Sequence, residues 1–465
     1  MIRFIKMNNK SQKNTLKIFL KLALGLVLIL ILGLLFYRTW IDHYNQLLRF
    51  PYLFKGRLFV MFVYMILFYI FTIIYDCNNI SNNQLSILII SEILSVVSCN
   101  VLMYFVVIIP TAATILLPFM PIIKLSLYDI IVVAAWSLVT NYALKKFFRA
   151  EKVLLISNEE EIESIIYKFS KRDDLYEIKE TCSFDRRSID DIYKKCDNFD
   201  TILIGDLKSE DRNDIIKYCF DNTKNFLLSP KISDILLKYS DDIFIFDVPL
   251  YYSQSYGLSI ESRFFKRVID IIISLIVIIV FLPVWIVFAL LIKLEDGGPI
   301  FFLQERITYN LKKFNIIKFR SMKVASDSVV VPTTENDPRI TKIGNVIRKL
   351  HIDEIPQFIN VLIGDMSVVG PRPERIEHVH LYEKDIPEFL YRYKVKSGIT
   401  GLAQIYGKYN TSAINKLKLD LIYIKKYSPL FDLELIIKTL KVLFIKDNTE
   451  GFDEKNIKYI SQNAK

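Results

Sequence analysis

Long apolar runs constrain this 465-residue chain more than any other feature. A helix needs roughly 20 mainly apolar residues to span the hydrocarbon core of a bilayer. Four candidate runs precede residue 150 and a fifth follows in the second half: residues 22–37 (extended by 18–20), 58–75, 85–109, 125–144 and 271–292. Hydrophobic residues make up 52% of the chain. We therefore predict a membrane protein with four spanning helices in residues 1–150.

Basic residues predict how these spans are oriented. Residues 1–21 and 145–152 are both rich in lysine and arginine, and an even number of spans places both segments on the cytoplasmic side. The basic loop at 38–57 disagrees, since it would then lie outside. No small-residue cleavage site follows the first run, which predicts an anchor rather than a removed signal peptide. Glu92 lies inside the third run, where a functional and a structural role are both open.

The fifth run differs because Pro283 lies in its middle and basic residues flank both ends. Lys266 and Arg267 precede it, and Lys293 follows it. A helix that enters the membrane, breaks at Pro283 and returns to the same face satisfies both basic flanks. The alternative is a fifth true span. We predict the re-entrant path.

Residues 151–255 have a different character. Four β-type runs, at 152–157, 201–206, 225–230 and 243–248, alternate with charged helical stretches. Such alternation predicts a parallel sheet covered by helices. The first strand ends without the glycines that let a pyrophosphate approach, so we predict a Rossmann-like module that binds no dinucleotide.

The fold class is thus an α plus α/β membrane protein in three parts. Residues 1–150 form a transmembrane four-helix bundle, and 151–255 form the Rossmann-like module. Residues 256–465 form the re-entrant helix with a mixed, mostly helical catalytic domain. Within this last part we predict extended segments and three helices: strands at 299–307 and 312–322, a helix capped by Thr341, and helices at 410–426 and 429–446.

Charge and composition limit the classes of partner and the kinds of site that we predict. The net charge of +10 suits nucleic acid, an anionic membrane surface or a phosphorylated substrate, and the membrane spans exclude nucleic acid as the preferred partner. The five cysteines show no CxxC spacing, and the four histidines no paired spacing. We therefore predict neither a disulfide framework nor a zinc site.

One segment, residues 348–373, gathers residues suited to phosphate chemistry. Asp353 and Glu354 precede an apolar helical pattern, where free N–H groups keep carboxylates ionised and attract phosphate. Arg372 follows between two prolines and has a planar fork that grips phosphate in two places. The structural alternative is that Asp353 caps the helix, Glu354 interacts favourably with the helix dipole from the first turn, and Arg372 pairs with a surface acid. We interpret His351 as a packing or surface residue rather than a base.

Several sequence blocks occur together in one order: KRVID (266–270), GPIFFLQER (298–306), KFRSM (318–322), NDPRITKIG (336–344), IDEIPQFINVLIGDMSVVGPRPE (352–374) and SGITGLAQIYGKYN (397–410). With them the chain resembles the bacterial sugar transferases, also called monotopic phosphoglycosyl transferases or undecaprenyl-phosphate glycosylphosphotransferases. The four-span start and Rossmann-like middle resemble the family's long form by architecture.

The resemblance implies a reaction. A sugar 1-phosphate passes from a UDP-sugar to undecaprenyl phosphate, UMP leaves, and Mg²⁺ is required. Asp353 is implied as the nucleophile that forms an acyl-phosphate carrying the sugar, with Glu354 as its partner in proton handling or metal orientation. Both are candidate metal ligands. Such a step begins the assembly of an exopolysaccharide, capsule, O-antigen or glycoprotein glycan.

The resemblance also implies partners and further site residues. Phosphate-binding roles fall on Arg372, Lys318, Arg320 and Arg339. Membrane and lipid-headgroup roles fall on Lys266, Arg267 and Pro283. The expected location is the bacterial cytoplasmic membrane, multi-pass, with the catalytic domain on its cytoplasmic face, and a homodimer is the expected assembly.

Departures from the family pattern leave the sugar unnamed. Leu282 replaces the usual serine before Pro283, and Lys396-Ser397 replaces the usual Arg-Pro. Residues 405–408 read IYGK instead of Val-Asn-Gly-Arg; a cation is kept, but the arginine fork is lost. Two other functions stay open. One is a UDP-releasing glycosyltransferase, but the last domain has no DxD motif in a strand-end context. The other is a non-catalytic scaffold or regulator, but the intact carboxylate pair argues against it.

Overall fold

The computed structural model describes residues 2–48, 50–78, 84–109, 118–147, 150–170, 172, 174–184, 189–253, 257–323, 339–408 and 411–444. Asp337, in the NDPRITKIG block, lies outside them. The chain divides into two compact units, Met1–Ser229 and Pro230–Lys465. The predicted Rossmann-like module instead ended at residue 255.

Four long helices open the first unit: α1 (Ile2–Thr39), α2 (Phe54–Ile74), α3 (Leu85–Ile108) and α4 (Met120–Phe147). Each contains a stretch long and apolar enough to cross a membrane by length and composition. This supports the predicted membrane protein, and the four predicted runs fall on these helices.

Two acidic side chains lie inside this helical region. Glu92 on α3 is buried and accepts a hydrogen bond from Ser137 on α4. Asp129 on α4 accepts from Asn100 on α3 at 3.0 Å and from Tyr64 on α2 at 3.4 Å. These bonds join the helices, because a polar group in an apolar interior is stabilised only when it is paired. For Glu92 this geometry supports the structural role.

A four-stranded parallel sheet completes the first unit. It contains β1 (Glu151–Ser157), β2 (Tyr176–Ser183), β3 (Thr201–Ile204) and β4 (Asn225–Leu228) in the order β2-β1-β3-β4. Its helices are α5 (Glu159–Ser170), α6 (Ile189–Asp197) and α7 (Ser209–Asp221). The predicted parallel sheet is confirmed, and β2 is a strand that the sequence prediction missed.

The predicted fourth strand, residues 243–248, was wrong as part of this sheet. It belongs to an antiparallel hairpin of β5 (Asp241–Ile245) and β6 (Val248–Tyr252), preceded by α8 (Ile232–Lys238). Phe246 has a φ of 56°, and positive φ in a two-residue turn reverses the chain. The apolar run is therefore cut by a turn that carries no glycine signal.

The second unit is organised around α9 (Ile260–Asp296), which begins at an N-cap bond from Ser262 N–H to the Ser259 hydroxyl and ends at Gly297 with φ 73°. The helix is continuous through Pro283, which is exposed. It is the fifth helix that is apolar and long enough to span a membrane. Only 6% of its most apolar stretch is buried. The re-entrant path stays a prediction.

The rest of the second unit is mixed and mostly helical, as predicted. Its elements are β7 (Phe301–Ile307), β8 (Lys313–Phe319), α10 (Lys342–Lys349), α11 (Gln357–Ile363), β9 (Ser367–Val369), α12 (Ile376–Asp385), β10 (Gly398–Thr400), α13 (Leu402–Tyr406), α14 (Ala413–Lys426) and α15 (Pro429–Val442). Strands β7 and β8 pair antiparallel, and β9 and β10 pair in parallel. Thr341 caps α10 by accepting from Gly344 N–H at 2.9 Å, which confirms that predicted start. One apolar core joins β8, α11, β9, α14 and α15.

Candidate active site

The carboxylate pair lies in a short 3-10 turn rather than in α11. Asp353 and Glu354 belong to the turn Ile352–Glu354, which follows His351 in the left-handed region at φ 53°. Helix α11 begins at Gln357, and its N-cap residue is Pro356, with no side-chain cap bond. Neither carboxylate therefore caps this helix, and the structural alternative for Asp353 does not hold.

Two cations clamp the Glu354 carboxylate. Lys318 Nζ on β8 lies 2.8 Å from Oε1, and Arg372 Nη2, in the loop after β9, lies 2.6 Å from the same oxygen. Arg372 Nη1 is 3.5 Å from Oε2. Burial pushes the Glu354 pKa upward, but the charges of Arg372 and Lys318 outweigh it and hold the pKa well below its usual range. Glu354 is thus a fixed anion.

Asp353 has a different environment. It is half-buried, and within the described part of the chain no group donates a hydrogen bond to its carboxylate. Burial raises its pKa and the adjacent Glu354 charge adds to this, while Lys318 and Arg348 oppose it. A carboxylate with few solvating partners is a reactive one, because little solvation has to be removed before it attacks or binds a cation. The two neighbouring acids are therefore chemically distinct.

The loop that carries Arg372 is held by its backbone. Gly370 N–H donates to Thr400 O at 2.8 Å, and Arg392 Nη2 donates to Arg372 O at 3.0 Å. A Cβ on Gly370 would approach the Lys396 carbonyl to 2.4 Å, so only glycine fits this close approach. Fixing the main chain in this way leaves the guanidinium of Arg372, whose side chain is 48% exposed, to face Glu354 and the solvent.

Lys266 is buried within the second unit, and its predicted lipid-headgroup role stays a prediction. Its side chain is 6% exposed, because the face of α9 that carries it packs against β9. The ammonium donates to Val369 O at 2.8 Å, to Tyr423 OH at 3.0 Å and to Asp432 Oδ2 at 2.6 Å. Lys266 therefore ties α9 to the strand that leads into the Arg372 loop.

Arg267 likewise bonds to groups of the protein. Its Nη1 donates to Val361 O at 2.5 Å and its Nη2 to Leu362 O at 2.6 Å. These carbonyls are at the C-terminal end of α11, where a cation is favoured by the helix dipole. The guanidinium thus binds two protein carbonyls, and its lipid-headgroup role stays a prediction. Pro283 is exposed within α9, and its membrane role stays a prediction.

The two remaining predicted phosphate ligands have their own contacts. Arg320 is buried and forms a two-pronged ion pair with Asp296, at the end of α9. Arg339 lies beside the bridge between Met322 and Ile340, and its carbonyl accepts from Lys323 N–H at 2.9 Å. The contacts in the described part of the chain join Glu354, the neighbour of Asp353, to Lys318 and Arg372, and phosphate binding by the other two arginines stays a prediction.

Sequence reasoning missed the buried polar groups that support the site. Asp270 Oδ1 accepts from Ser367 Oγ at 2.9 Å and from Val368 N–H at 2.8 Å. Arg392, 1% exposed, pairs with the equally buried Asp420 at 2.8 Å. The sequence does contain a signal for Asp270. It lies four residues after Lys266, just before the apolar run, and such spacing places both side chains on one helix face.

The acidic residues fit a single-carboxylate metal site. In the described residues no group of three or more His, Cys, Asp or Glu side chains could hold a metal ion. Magnesium commonly uses one or two protein carboxylates and completes its shell with water and substrate phosphates. Both oxygens of Glu354 already face cations, so Asp353 is the group of this pair that fits a magnesium ion.

Comparison with known proteins bears on the same region. The sequence model of a family described as bacterial sugar transferase matches residues 261–446. This range contains α9, the carboxylate pair, the Arg372 loop and the supporting helices. The match therefore covers every residue of the site described above.

Three relatives are similar to part of the chain. They are a UDP-glucose:undecaprenyl-phosphate glucose-1-phosphate transferase of Escherichia coli K12 (39% identity, 47% of this chain, 49% of that protein), a UDP-N-acetylgalactosamine-undecaprenyl-phosphate N-acetylgalactosaminephosphotransferase of Aeromonas hydrophila (42% identity, 39% and 44%), and an exopolysaccharide production protein of Rhizobium leguminosarum bv. phaseoli (40% identity, 38% and 92%). The chain spans about half the length of the first two and nearly all of the third.

Proposed function

This chain belongs to the bacterial sugar transferase family, and we propose that it transfers a sugar 1-phosphate from a UDP-sugar to undecaprenyl phosphate. Two of its relatives are named for this kind of reaction, with glucose and with N-acetylgalactosamine. The observation that carries the proposal is the contrast within the carboxylate pair. Asp353 receives no described hydrogen bond, while Glu354 is clamped by Lys318 and Arg372.

In the first proposed step Asp353 acts as a nucleophile. One carboxylate oxygen attacks the phosphorus attached to the sugar, and the bond from that phosphorus to the bridging oxygen breaks. The bridging oxygen leaves with the electron pair as part of UMP. The product is an aspartyl-phosphosugar, so a difficult transfer is divided into two displacements.

In the second step the phosphate oxygen of undecaprenyl phosphate attacks the same phosphorus. The acyl–phosphate bond breaks, and the electron pair returns to the Asp353 carboxylate. The lipid now carries a diphosphate linked to the sugar, and the enzyme is restored without a net gain or loss of protons.

The clamp on Glu354 has two roles in this scheme. It fixes Lys318 and Arg372 beside Asp353, so that two cations are in place where phosphate charge accumulates. It also holds Glu354 as an anion, whose charge raises the pKa of Arg372 and keeps the Arg372 fork oriented. Positioning and charge compensation, rather than acid–base chemistry, are the main contributions of Glu354.

In this scheme Asp353 would hold a magnesium ion. When bound, the ion would neutralise phosphate charge and orient the diphosphate. The exposed apolar surface of α9 supports a site beside lipid. We place the chain in the bacterial cytoplasmic membrane with this site on the cytoplasmic side, at the initiating step of a surface glycan.

The test uses the purified full chain with undecaprenyl phosphate, MgCl₂ and a panel of UDP-sugars, and it measures the released nucleotide. UMP release that requires the lipid supports the proposal, and release of UDP instead would identify a different glycosyltransferase. Asp353→Asn should abolish UMP release. Asp385→Asn, at the exposed end of α12, is the matched control. No nucleotide release with any sugar, or full release by Asp353→Asn, contradicts the proposal.

A further inference from the structure

Asp129 is a buried acid in the helical part of the first unit. It lies on α4, more than two turns from either end of the helix, and it is 0% exposed. Its described donors, Asn100 Nδ2 at 3.0 Å and Tyr64 OH at 3.4 Å, are both neutral groups. A carboxylate in an apolar interior has to be neutralised by a cationic side chain, a proton or a metal ion. Because these contacts supply no positive charge, the balancing charge comes from an ion that the chain binds.

Two buried oxygen atoms at this position lack a hydrogen-bond partner among the described residues. They are Asp129 Oδ1 and Asn100 Oδ1. Asn100, on α3, is 1% exposed, and its Nδ2 donates to Asp129 Oδ2. The two unpartnered oxygens therefore belong to side chains that already contact each other. A buried acceptor without a donor costs free energy, and a positively charged ligand shared by both oxygens would remove this cost.

Further oxygen atoms surround this pair. Ser126 Oγ, one turn before Asp129 on α4, accepts from Asn100 Nδ2 at 3.0 Å. Tyr64 OH reaches Asp129 from α2. The Tyr64 ring in turn stacks on Phe36 of α1, with 4.4 Å between the ring centroids and 6° between their planes. Side chains from four helices thus meet at one group of oxygens, and these contacts fix the orientation of Asp129 and Asn100.

The charge of this group indicates which ion fits. Side-chain oxygens are the ligands of hard cations. Asp129 supplies a single negative charge, and Asn100, Ser126 and Tyr64 supply neutral oxygens. A monovalent cation leaves the group neutral, whereas a divalent cation would leave one positive charge in an apolar interior at a high cost in free energy.

Glu92, on α3, provides an internal comparison. It accepts a hydrogen bond from Ser137 of α4, and neither of its oxygens is among the buried atoms that lack a partner in the described part of the chain. Val96 and Val133, both 0% exposed, come between the Glu92 contact and the Asp129 contact on α3 and α4. The unpartnered oxygens therefore distinguish the Asp129 position from that of a second buried acid in the same helices.

We propose that the helical region of the first unit binds a sodium ion between Asp129 Oδ1 and Asn100 Oδ1. Tyr64 and Ser126 position these two ligands through their hydrogen bonds. The ion joins α3 to α4 at the residues that already connect them, so its binding stabilises the packing of these helices. The site stands independently of the proposed transfer reaction, since it uses no residue of the second unit.

The test measures the melting temperature of the full chain reconstituted into phosphatidylcholine nanodiscs at pH 7. NaCl replaces N-methyl-D-glucamine chloride stepwise, so that the ionic strength stays constant. An ion that binds only the folded state raises the melting temperature as its concentration passes the Kd. We therefore expect a rise with NaCl, which identifies sodium binding without reference to UMP release.

Three variants assign the response to this site. Asp129→Asn keeps the shape of the side chain but removes its charge, and it should abolish the response to NaCl. Asn100→Ala removes the second ligand and should raise the half-saturating NaCl concentration about tenfold or more; it serves if Asp129→Asn does not fold. Glu92→Gln is the matched control, because it makes the same chemical change at the other buried acid and should keep the half-saturating concentration.

Three results would overturn the proposal. One is a melting temperature that does not respond to NaCl. Another is a response that folded Asp129→Asn or Asn100→Ala keeps at the half-saturating concentration of Glu92→Gln. The third is stabilisation by lower pH without sodium that Asp129→Asn loses, together with no response to NaCl, since a proton would then neutralise the carboxylate.

Discussion

Arg372 and Glu354 form an ion pair of 2.6 Å between Nη2 and Oε1, which joins the loop after β9 to the turn before α11. The same glutamate oxygen also receives Lys318 at 2.8 Å. A single carboxylate thus holds two cations from separate elements beside Asp353. The pairing that sequence analysis offered as the structural alternative for Arg372 exists, but its partner is a member of the carboxylate pair.

This pair predicts that Arg372→Lys is not a conservative change. Lysine keeps the charge but loses the planar fork that reaches both oxygens of Glu354. We expect kcat/KM for UMP release to fall about a hundredfold, which is typical for the loss of an oriented charge-stabilising donor. Lys384→Arg, on the exposed face of α12, is the control. Activity within twofold of the original would show that Arg372 contributes charge alone.

Asp353→Asn should abolish activity while making the protein more stable. In the folded chain burial raises the Asp353 pKa, so the folded state binds this proton more tightly than the unfolded state does. Above that pKa the ionised carboxylate therefore destabilises the fold. The isosteric amide removes this cost, and we expect a higher melting temperature at pH 7 together with a loss of roughly 10³-fold or more in UMP release. A lower melting temperature would mean that the carboxylate stabilises its surroundings.

The pH dependence of the reaction should follow the same group. Because Asp353 must be ionised to attack, kcat/KM should rise with pH through an acid limb displaced upward from the pKa of an ordinary aspartate. Glu354→Gln removes a neighbouring negative charge that raises the Asp353 pKa, so the limb should move to lower pH even where the rate is reduced. An unchanged limb in Glu354→Gln would assign it to another group. Full pH profiles of both proteins provide the measurement.

Local sequence patterns predicted the parts of the fold that have strong periodicity. The long apolar helices, strands β7 and β8 and the capped start of α10 all follow from runs and caps that lie close together in the chain. Strand β2, EIKETCS within Tyr176–Ser183, was missed because its charged residues and half-buried setting obscure the alternation. The hairpin at Phe246 was missed because no glycine or asparagine marks its turn.

The site itself was predictable only in part. The carboxylate pair and Arg372 were recognised from their segment and from the family resemblance, yet Lys318 and Glu354 are 36 residues apart in the chain. No periodicity connects such positions, since tertiary packing brings them together. Lys266 shows the same limit. Its place beside an apolar run resembled a membrane flank, but the partner that buries it, Asp432, is 166 residues away.

The ion pair between Lys266 and Asp432 gives the last prediction. Both side chains are almost fully buried, at 6% and 2% exposure, and a buried charge that loses its partner is strongly destabilising. We expect Lys266→Met to lower the free energy of unfolding by about 3 kcal/mol. Asp432→Asn should have a similar effect, since it leaves the ammonium with only the neutral groups of Val369 and Tyr423.

The double variant Lys266→Met with Asp432→Asn should recover part of this loss, because Asp432 no longer carries a charge that has lost its ammonium partner. Lys312→Met is the control, since its ion pair with Asp365 has a lysine side chain that is 69% exposed and contributes little. Reversible denaturation of the reconstituted protein gives the free energy of unfolding of these four variants and of the original chain. Strict additivity of the two single losses would show that the two charges do not depend on each other for stability.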